Sequence, residues 1–237
     1  MITDTTLSMD STDMMRKPLW TSLADNIANL IANSIATRRM VPGERIVETT
    51  LAEKLGVSRV PIREALKVLH AQGILKGGGH RGYHVADFDA ETTQQVLEVR
   101  LNLETFLLRD ALNNWRSGLE DPRLLDVAIS EMERAAKSED IPASLLADLQ
   151  FHRTIRNAAR NPIAGTLWDT IARHVMIVFN FERYRDKDLM AIPRQHEEFR
   201  DFILKQIAKP GPPEVIGEAL ENHILLIDRQ RRRRSGK

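Results

Sequence analysis

Cysteine is absent from the 237 residues. That gap removes disulfides, thiolate nucleophiles and cysteine-ligated zinc, and it fits a reducing compartment. Any bound metal must therefore use His, Asp or Glu. Two further features are missing: a run of about 18 consecutive apolar residues, and a basic flank leading into an apolar N-terminal stretch. Neither membrane spanning nor export is expected, and a cytoplasmic location is the default. What is present, 42% apolar and 28% charged residues, suffices for the core of one large or two ordinary domains.

The formal net charge of +1 conceals a strong asymmetry. Residues 1–15 carry three acids and no bases, and residues 16–86 carry 11 bases against 5 acids. Residues 87–228 reverse the sign with 17 bases against 25 acids, and the last nine residues add six bases through Arg229, Arg231 to Arg234 and Lys237. Two segments of opposite sign point to two domains, the basic one being the natural partner of a polyanion.

Within the basic block, LAEKLGVSRVPIREALKVL (Leu51 to Leu69) has the layout of a helix-turn-helix. A short apolar-periodic helix (Leu51, Ala52, Leu55) runs into Gly56-Val57. Ser58 then stands where a hydroxyl can cap the next helix, and Pro61 falls in its first turn, where a missing N–H costs little. On that second helix Ile62, Leu66 and Leu69 form the inward stripe, while Arg59, Arg63 and Lys67 recur every four residues on another face. That cationic face suits the major groove of DNA.

Upstream, Leu23, Ile27, Leu30, Ile31 and Ile35 describe an amphipathic helix closed by Pro42-Gly43. Downstream, Ile74 to Lys76 and Tyr83 to Val85 read as two strands joined by GGGHRG, a small wing. Gly77 to Gly82 has no Lys-Ser or Lys-Thr after it and does not lead from a strand into a helix, so a nucleotide phosphate loop is the weaker reading. A tip that brings Arg81 and the backbone to a DNA phosphate or minor groove is the better one.

From Asp89 onward the pattern is helical. The first helix carries the expected inward stripe Val96, Val99, Leu103, Phe106 and Leu107, and amphipathic segments follow near 124–137, 143–159, 163–181, 193–207 and 214–228. Four polar residues occupy apolar stripes here. Asp148 and His152 are an i, i+4 pair beside Leu145, Leu149 and Ile155; His196 shares a face with Phe199 and Ile203; His223 lies between Leu220 and Ile227. Brought together, three imidazoles and a carboxylate would satisfy one another through a divalent metal; taken singly, each histidine also fits a hydrogen-bonded core or surface position. His174 is the spare candidate.

LAEKLGVSRVPIREAL, preceded by VPGERIVE and followed by GILKGGGHRGYHV, resembles the DNA-binding domain of the GntR family of bacterial transcription regulators. DLQFHRTI with Asn161-Pro162, then HEEFRDFI and ENHILL, is similar to the FCD-type effector domain of the family's FadR branch. The resemblance implies that Arg59 and Arg63 contact bases or phosphates, helped by Ser58, Arg81 and Gly82. Val60 stands where many members have Thr, and a methyl contact to thymine would replace the hydroxyl. It also implies that Asp148, His152, His196 and His223 bind a metal beside a ligand pocket. Zinc is the first expectation, with nickel and manganese as alternatives. KPGPPEV lengthens the connector between the last two histidines relative to the family pattern. A small carboxylate effector would ligate the metal and seek a cation, for which Arg100 is the candidate; an ion pair with Glu104 is its alternative role.

The expected molecule is mainly α. It comprises a tail (1–15), a winged helix-turn-helix domain (16–88), an all-helical effector and dimerisation domain (89–228) and a basic tail (229–237). Its expected function is that of a ligand-responsive transcription regulator, with repression as the working expectation, that binds a palindromic operator as a homodimer. Two competing classes are a metal-dependent hydrolase, which would need a separate general base, and a non-specific nucleic-acid binder, which would show strong salt dependence without sequence preference.

Overall fold

The computed structural model describes residues 22–78, 82–183 and 188–235, with side chains for 22–78, 82–179 and 188–224. Arg81 and residues 1–15 lie outside this set, as do the side chains of the arginine tail.

The first helix, α1 (Leu23–Ala36), starts at Ser22, whose side chain accepts a hydrogen bond from the Asp25 amide at 3.1 Å. Ile27, Ile31 and Ile35 are buried, whereas Leu23 and Leu30, expected on the same stripe, are each 52% exposed. Next come β1 (Arg45–Ile46), α2 (Glu48–Leu55), α3 (Arg59–Ala71), β2 (Leu75–Gly77) and β3 (Tyr83–Val85). The sheet is antiparallel in the order β1-β3-β2, with Arg45 opposite His84 and Leu75 opposite Val85. The wing thus has three strands where two were expected. A two-residue strand is too short to show alternation, and β1 is held instead by pairing with β3.

Two glycines are required by this geometry. Gly56 ends α2 at φ +64°, the left-handed turn that separates α2 from α3. Gly77 has φ +86°, and a Cβ there would lie 2.6 Å from the Gly82 carbonyl oxygen across the wing.

Six helices follow: α4 (Ala90–Arg116), α5 (Leu124–Lys137), α6 (Ile141–Ala158), α7 (Pro162–Arg183), α8 (Ala191–Ala208) and α9 (Glu214–Ser235). Asp89 caps α4 by accepting from the Thr92 amide at 2.8 Å, as expected. The buried stripe of α4 differs from the expected one. Val96 and Leu107 are buried, but Val99 and Phe106 are 52% and 42% exposed, and the interior positions between them belong to Arg100 and Glu104. The apolar pattern misses this phase because the charged pair satisfies itself inside the bundle. Among the described residues, no helix is long and apolar enough to cross a membrane.

The two cores meet through α7. Met176 and Ile177 pack with the α1 and α3 residues of the winged domain, and Phe88 touches both cores. Arg173 donates from Nε to Asn29 Oδ1 at 2.9 Å and from Nη1 to Gln72 Oε1 at 3.1 Å, with Asp25 3.8 Å away. Its side chain is only 13% exposed, so these bonds lie partly out of water. Arg173→Ala is expected to destabilise the winged domain by about 1.5–3 kcal/mol, the usual cost of losing hydrogen bonds to a charged group. A urea midpoint equal to that of the wild type would contradict this junction.

Candidate DNA-binding face and metal centre

The buried face of α3 consists of Ile62, Ala65, Leu66 and Leu69, which leaves the opposite side free. There Arg59 and Arg63 are 57% and 50% exposed, and Val60 is 69% exposed. Both guanidinium groups converge on one carboxylate: Arg63 donates through Nε (3.3 Å) and Nη2 (3.1 Å), and Arg59 through Nη2 (3.5 Å), all to Glu48 Oε2. The hydrogen bond from Arg63 is the main cause holding the Glu48 carboxyl below its usual range. Ser58 has the extended backbone of an N-cap (φ −68°, ψ 163°) but makes no side-chain capping bond. The expected cap is therefore absent, and the hydroxyl stays available at the helix entrance.

Arg45, Thr49, Arg59, Arg63, Lys67 and Gly82 line one concave surface between α2, α3 and the wing. Gly82 has φ +72° and lets the Arg45 guanidinium lie against the wing, Nε being 3.2 Å from where a Cβ would be. Arg45, Thr49 and Glu48 were not anticipated as part of this face. Arg45 sits on the strand that carries no alternating signal, and Glu48 matters through a contact made across 15 residues of sequence.

The second site lies inside the helical domain. Asp148 and His152 come from α6, His196 from α8 and His223 from α9. One ligand nitrogen from each of the three histidines lies within 4.8 Å of the others, and the His196–His223 ring centroids are 4.6 Å apart. Phe199 stacks on His223 at 4.3 Å and Phe151 meets His196 edge-on at 4.9 Å, which fixes two of the rings. The connector 209–213 lies wholly between α8 and α9, so its extra length stays out of both helices and His223 reaches the cluster. His174 does not join it; it packs edge-on against Phe88 at 6.5 Å.

The hydrogen bonding suits a cation. Ile192 O lies 2.8 Å from His196 Nδ1, and a carbonyl accepts only from a protonated nitrogen, so Nε2 carries the lone pair. That Nε2 lies 3.2 Å from Asp148 Oδ1 and makes no aligned hydrogen bond. His223 Nδ1 is likewise buried without a partner. The three histidines form a group that could hold a divalent metal, and imidazole donors suit zinc, nickel or manganese; Asp148, expected as the fourth ligand, is not within that group and stands 3.2 Å from His196.

Burial holds His223 well below the ordinary histidine range, with the neighbouring His196 and His152 adding to the effect; burial also lowers His152. Both rings are therefore neutral, the form that ligates metal. Since their folded pKa values lie below the unfolded value near 6.5, the stability they contribute in metal-free protein is complete above about pH 6.5 and lost as pH falls. Each such ring contributes a slope of up to about 1.4 kcal/mol per pH unit. Metal-free His223→Leu should therefore lose less melting temperature than metal-free wild type between pH 7.5 and 5.5. Equal slopes would place His223 in a solvated, freely titrating setting.

Arg100 is 2% exposed, bonded through Nε to Glu104 Oε1 at 2.9 Å and placed over the Phe179 ring at 4.7 Å. The alternative role, the helix ion pair, is thus present, and it lies next to the histidines: Glu104 Oε2 is 2.9 Å from His152 Nδ1.

Residues 23–85 match the family model described as bacterial regulatory proteins, gntR family, and residues 95–229 match the FCD domain. A probable D-xylose utilization operon transcriptional repressor of Paenarthrobacter nicotinovorans is 27% identical over 86% of each chain. The gluconate operon transcriptional repressor of Bacillus subtilis is 27% identical over 69% of this chain and 67% of its own length. Among solved structures, Escherichia coli McbR/YncC superposes with a TM-score of 0.71 at 20% identity, covering 89% of this chain and 99% of that one. A winged helix-turn-helix with a cationic helix face, followed by a six-helix domain with a largely buried histidine triad that could hold a metal, fits these matches. The chain belongs to the gntR family of bacterial transcription regulators, in the group that carries an FCD domain, and it is a regulator rather than an enzyme.

Proposed function

We propose that the protein is a cytoplasmic repressor that binds a palindromic operator as a homodimer and responds to a small organic acid at the metal centre of its helical domain. The observation that carries this reading is the pairing of two features in one chain. A half-exposed arginine pair stands on α3, and three histidines from α6, α8 and α9 bring ligand nitrogens within 4.8 Å of one another.

On the DNA side, Arg59 and Arg63 enter the major groove, Ser58 and Gly82 meet phosphate, and Val60 meets a thymine methyl. Arg81, whose placement is not described, would extend the wing contact. One α3 helix reads only a few base pairs, so a two-fold pair is the arrangement that specifies an operator. Glu48 holds Arg59 and Arg63 in a common orientation in the free protein, a preorganised fork that exchanges this carboxylate for a base edge or phosphate.

In the helical domain, Asp148, His152, His196 and His223 would hold the metal, which supplies open positions for a carboxylate oxygen. Arg100 Nε is committed to Glu104, and its terminal nitrogens are the donors that would meet the second carboxylate oxygen. The gluconate operon named for one relative fits an acid of this class.

The test uses the purified chain with zinc and a panel of three- to six-carbon hydroxy acids and sugar acids. At least one acid should raise the melting temperature of zinc-loaded protein and not of chelator-treated protein, and sedimentation should give twice the 27.0 kDa chain mass. Stabilisation that ignores the metal, or a monomer, would contradict the proposal.

A further inference from the structure

The proposed metal ligands are not the only buried groups around the histidine cluster. Glu104 on α4 is 4% exposed, accepts hydrogen bonds from two side chains and faces a third on another helix. Arg100 Nε donates to Oε1 at 2.9 Å, Trp168 Nε1 on α7 donates to the same oxygen at 3.0 Å, and His152 Nδ1 lies 2.9 Å from Oε2, close but not aligned as a full hydrogen bond. Trp168 is itself 1% exposed and Arg100 2%, so this carboxylate and its two donors are shut away from water.

We propose that Glu104 is a positioning residue for the metal centre, fixing the proton of His152 on Nδ1 so that Nε2 presents its lone pair to the cluster, and anchoring that arrangement to α7 through Trp168. This inference rests on the metal reading of the histidine cluster. The chemistry follows from the inventory of donors. A carboxylate offers two acceptor oxygens, one for Arg100 and Trp168 and the other for the imidazole N–H. Carboxylate–imidazole–metal arrangements of this kind set the ring tautomer and raise the basicity of the ligating nitrogen, and losing the outer carboxylate typically weakens metal binding by about 10–100-fold.

Glu104→Gln tests it with little change in shape. An amide has one carbonyl oxygen, which Arg100 and Trp168 claim, so its NH2 must face His152 and donate to Nδ1. The His152 proton then moves to Nε2, into the cluster. Zinc affinity is measured by competition with a chromophoric chelator, and the His152 tautomer in metal-free protein by nitrogen NMR, for wild type, Glu104→Gln and His223→Ala.

The expected result has three parts: zinc binding by wild type, its loss in His223→Ala, and in Glu104→Gln an affinity about 10–100-fold lower with the proton on Nε2. If His223→Ala loses zinc while Glu104→Gln binds it as wild type does, the role of Glu104 is overturned and the metal centre stands. If wild type binds no zinc, or His223→Ala binds it equally, the metal centre fails and this inference with it. Glu104→Gln leaves Arg100 buried without its counter-charge, so the double variant Arg100→Met/Glu104→Gln, which removes the pair together, is measured alongside. A folded double variant with wild-type zinc affinity would equally overturn the role of Glu104.

Discussion

Arg63→Ala is expected to lower operator affinity by about 2–6 kcal/mol, because each bidentate base contact is worth about 1–3 kcal/mol and a two-fold operator contains it twice. The loss should exceed that from any exposed lysine, which would weaken specific and non-specific DNA alike. It should come without a folding defect. Arg63 touches no core residue among its described partners, and its partner Glu48 is reached at the surface. Exposed ion pairs of this kind contribute little to stability. Arg63→Lys separates charge from shape: it keeps the cation and loses the planar fork, so it should retain phosphate attraction and forfeit sequence discrimination. Fluorescence anisotropy at one fixed salt concentration, with operator and scrambled duplexes, measures both. Undiminished operator binding by Arg63→Ala would remove α3 from the recognition role.

The second large effect concerns the metal. At a free concentration a thousandfold above its dissociation constant, a metal that binds only the folded domain stabilises it by about 4 kcal/mol. For a chain of this size each kcal/mol shifts the melting temperature by about 2–4 °C, so loading should raise it by roughly 8–16 °C. The same loading should remove the acid sensitivity described for metal-free protein over the range in which the metal stays bound, since ligated imidazoles no longer take up protons. In His196→Ala the difference between loaded and chelated protein should vanish. A wild-type melting temperature that is indifferent to zinc, nickel and manganese would rule out the proposed centre.

The helix-turn-helix was legible because its signals are local. The left-handed Gly56, the first-turn Pro61 and the three-four spacing of Ile62, Leu66 and Leu69 all operate within a few residues. The histidines were legible for a related reason, each standing on an otherwise apolar helical stripe, and the helices bring His152, His196 and His223 together. What the pattern concealed depends on contacts distant in sequence. Strand β1 exists only through its pairing with β3, so nothing in Arg45–Ile46 announces it. On α4, the apolar spacing favoured Val99 and Phe106 as interior residues. The interior instead holds Arg100 and Glu104, whose charges are compensated by each other and by Trp168, 64 residues from Glu104. A buried ion pair reads as a surface pair in sequence because the i, i+4 spacing is the same in both settings.

Sequence-specific reading of DNA through α3 is checked by exposing fragmented genomic DNA to the purified wild-type protein and to Arg63→Ala at physiological salt, then sequencing what each retains. Wild type should enrich a short palindrome, and Arg63→Ala should not. Equal enrichment by both proteins, or no enriched sequence with wild type, would contradict it.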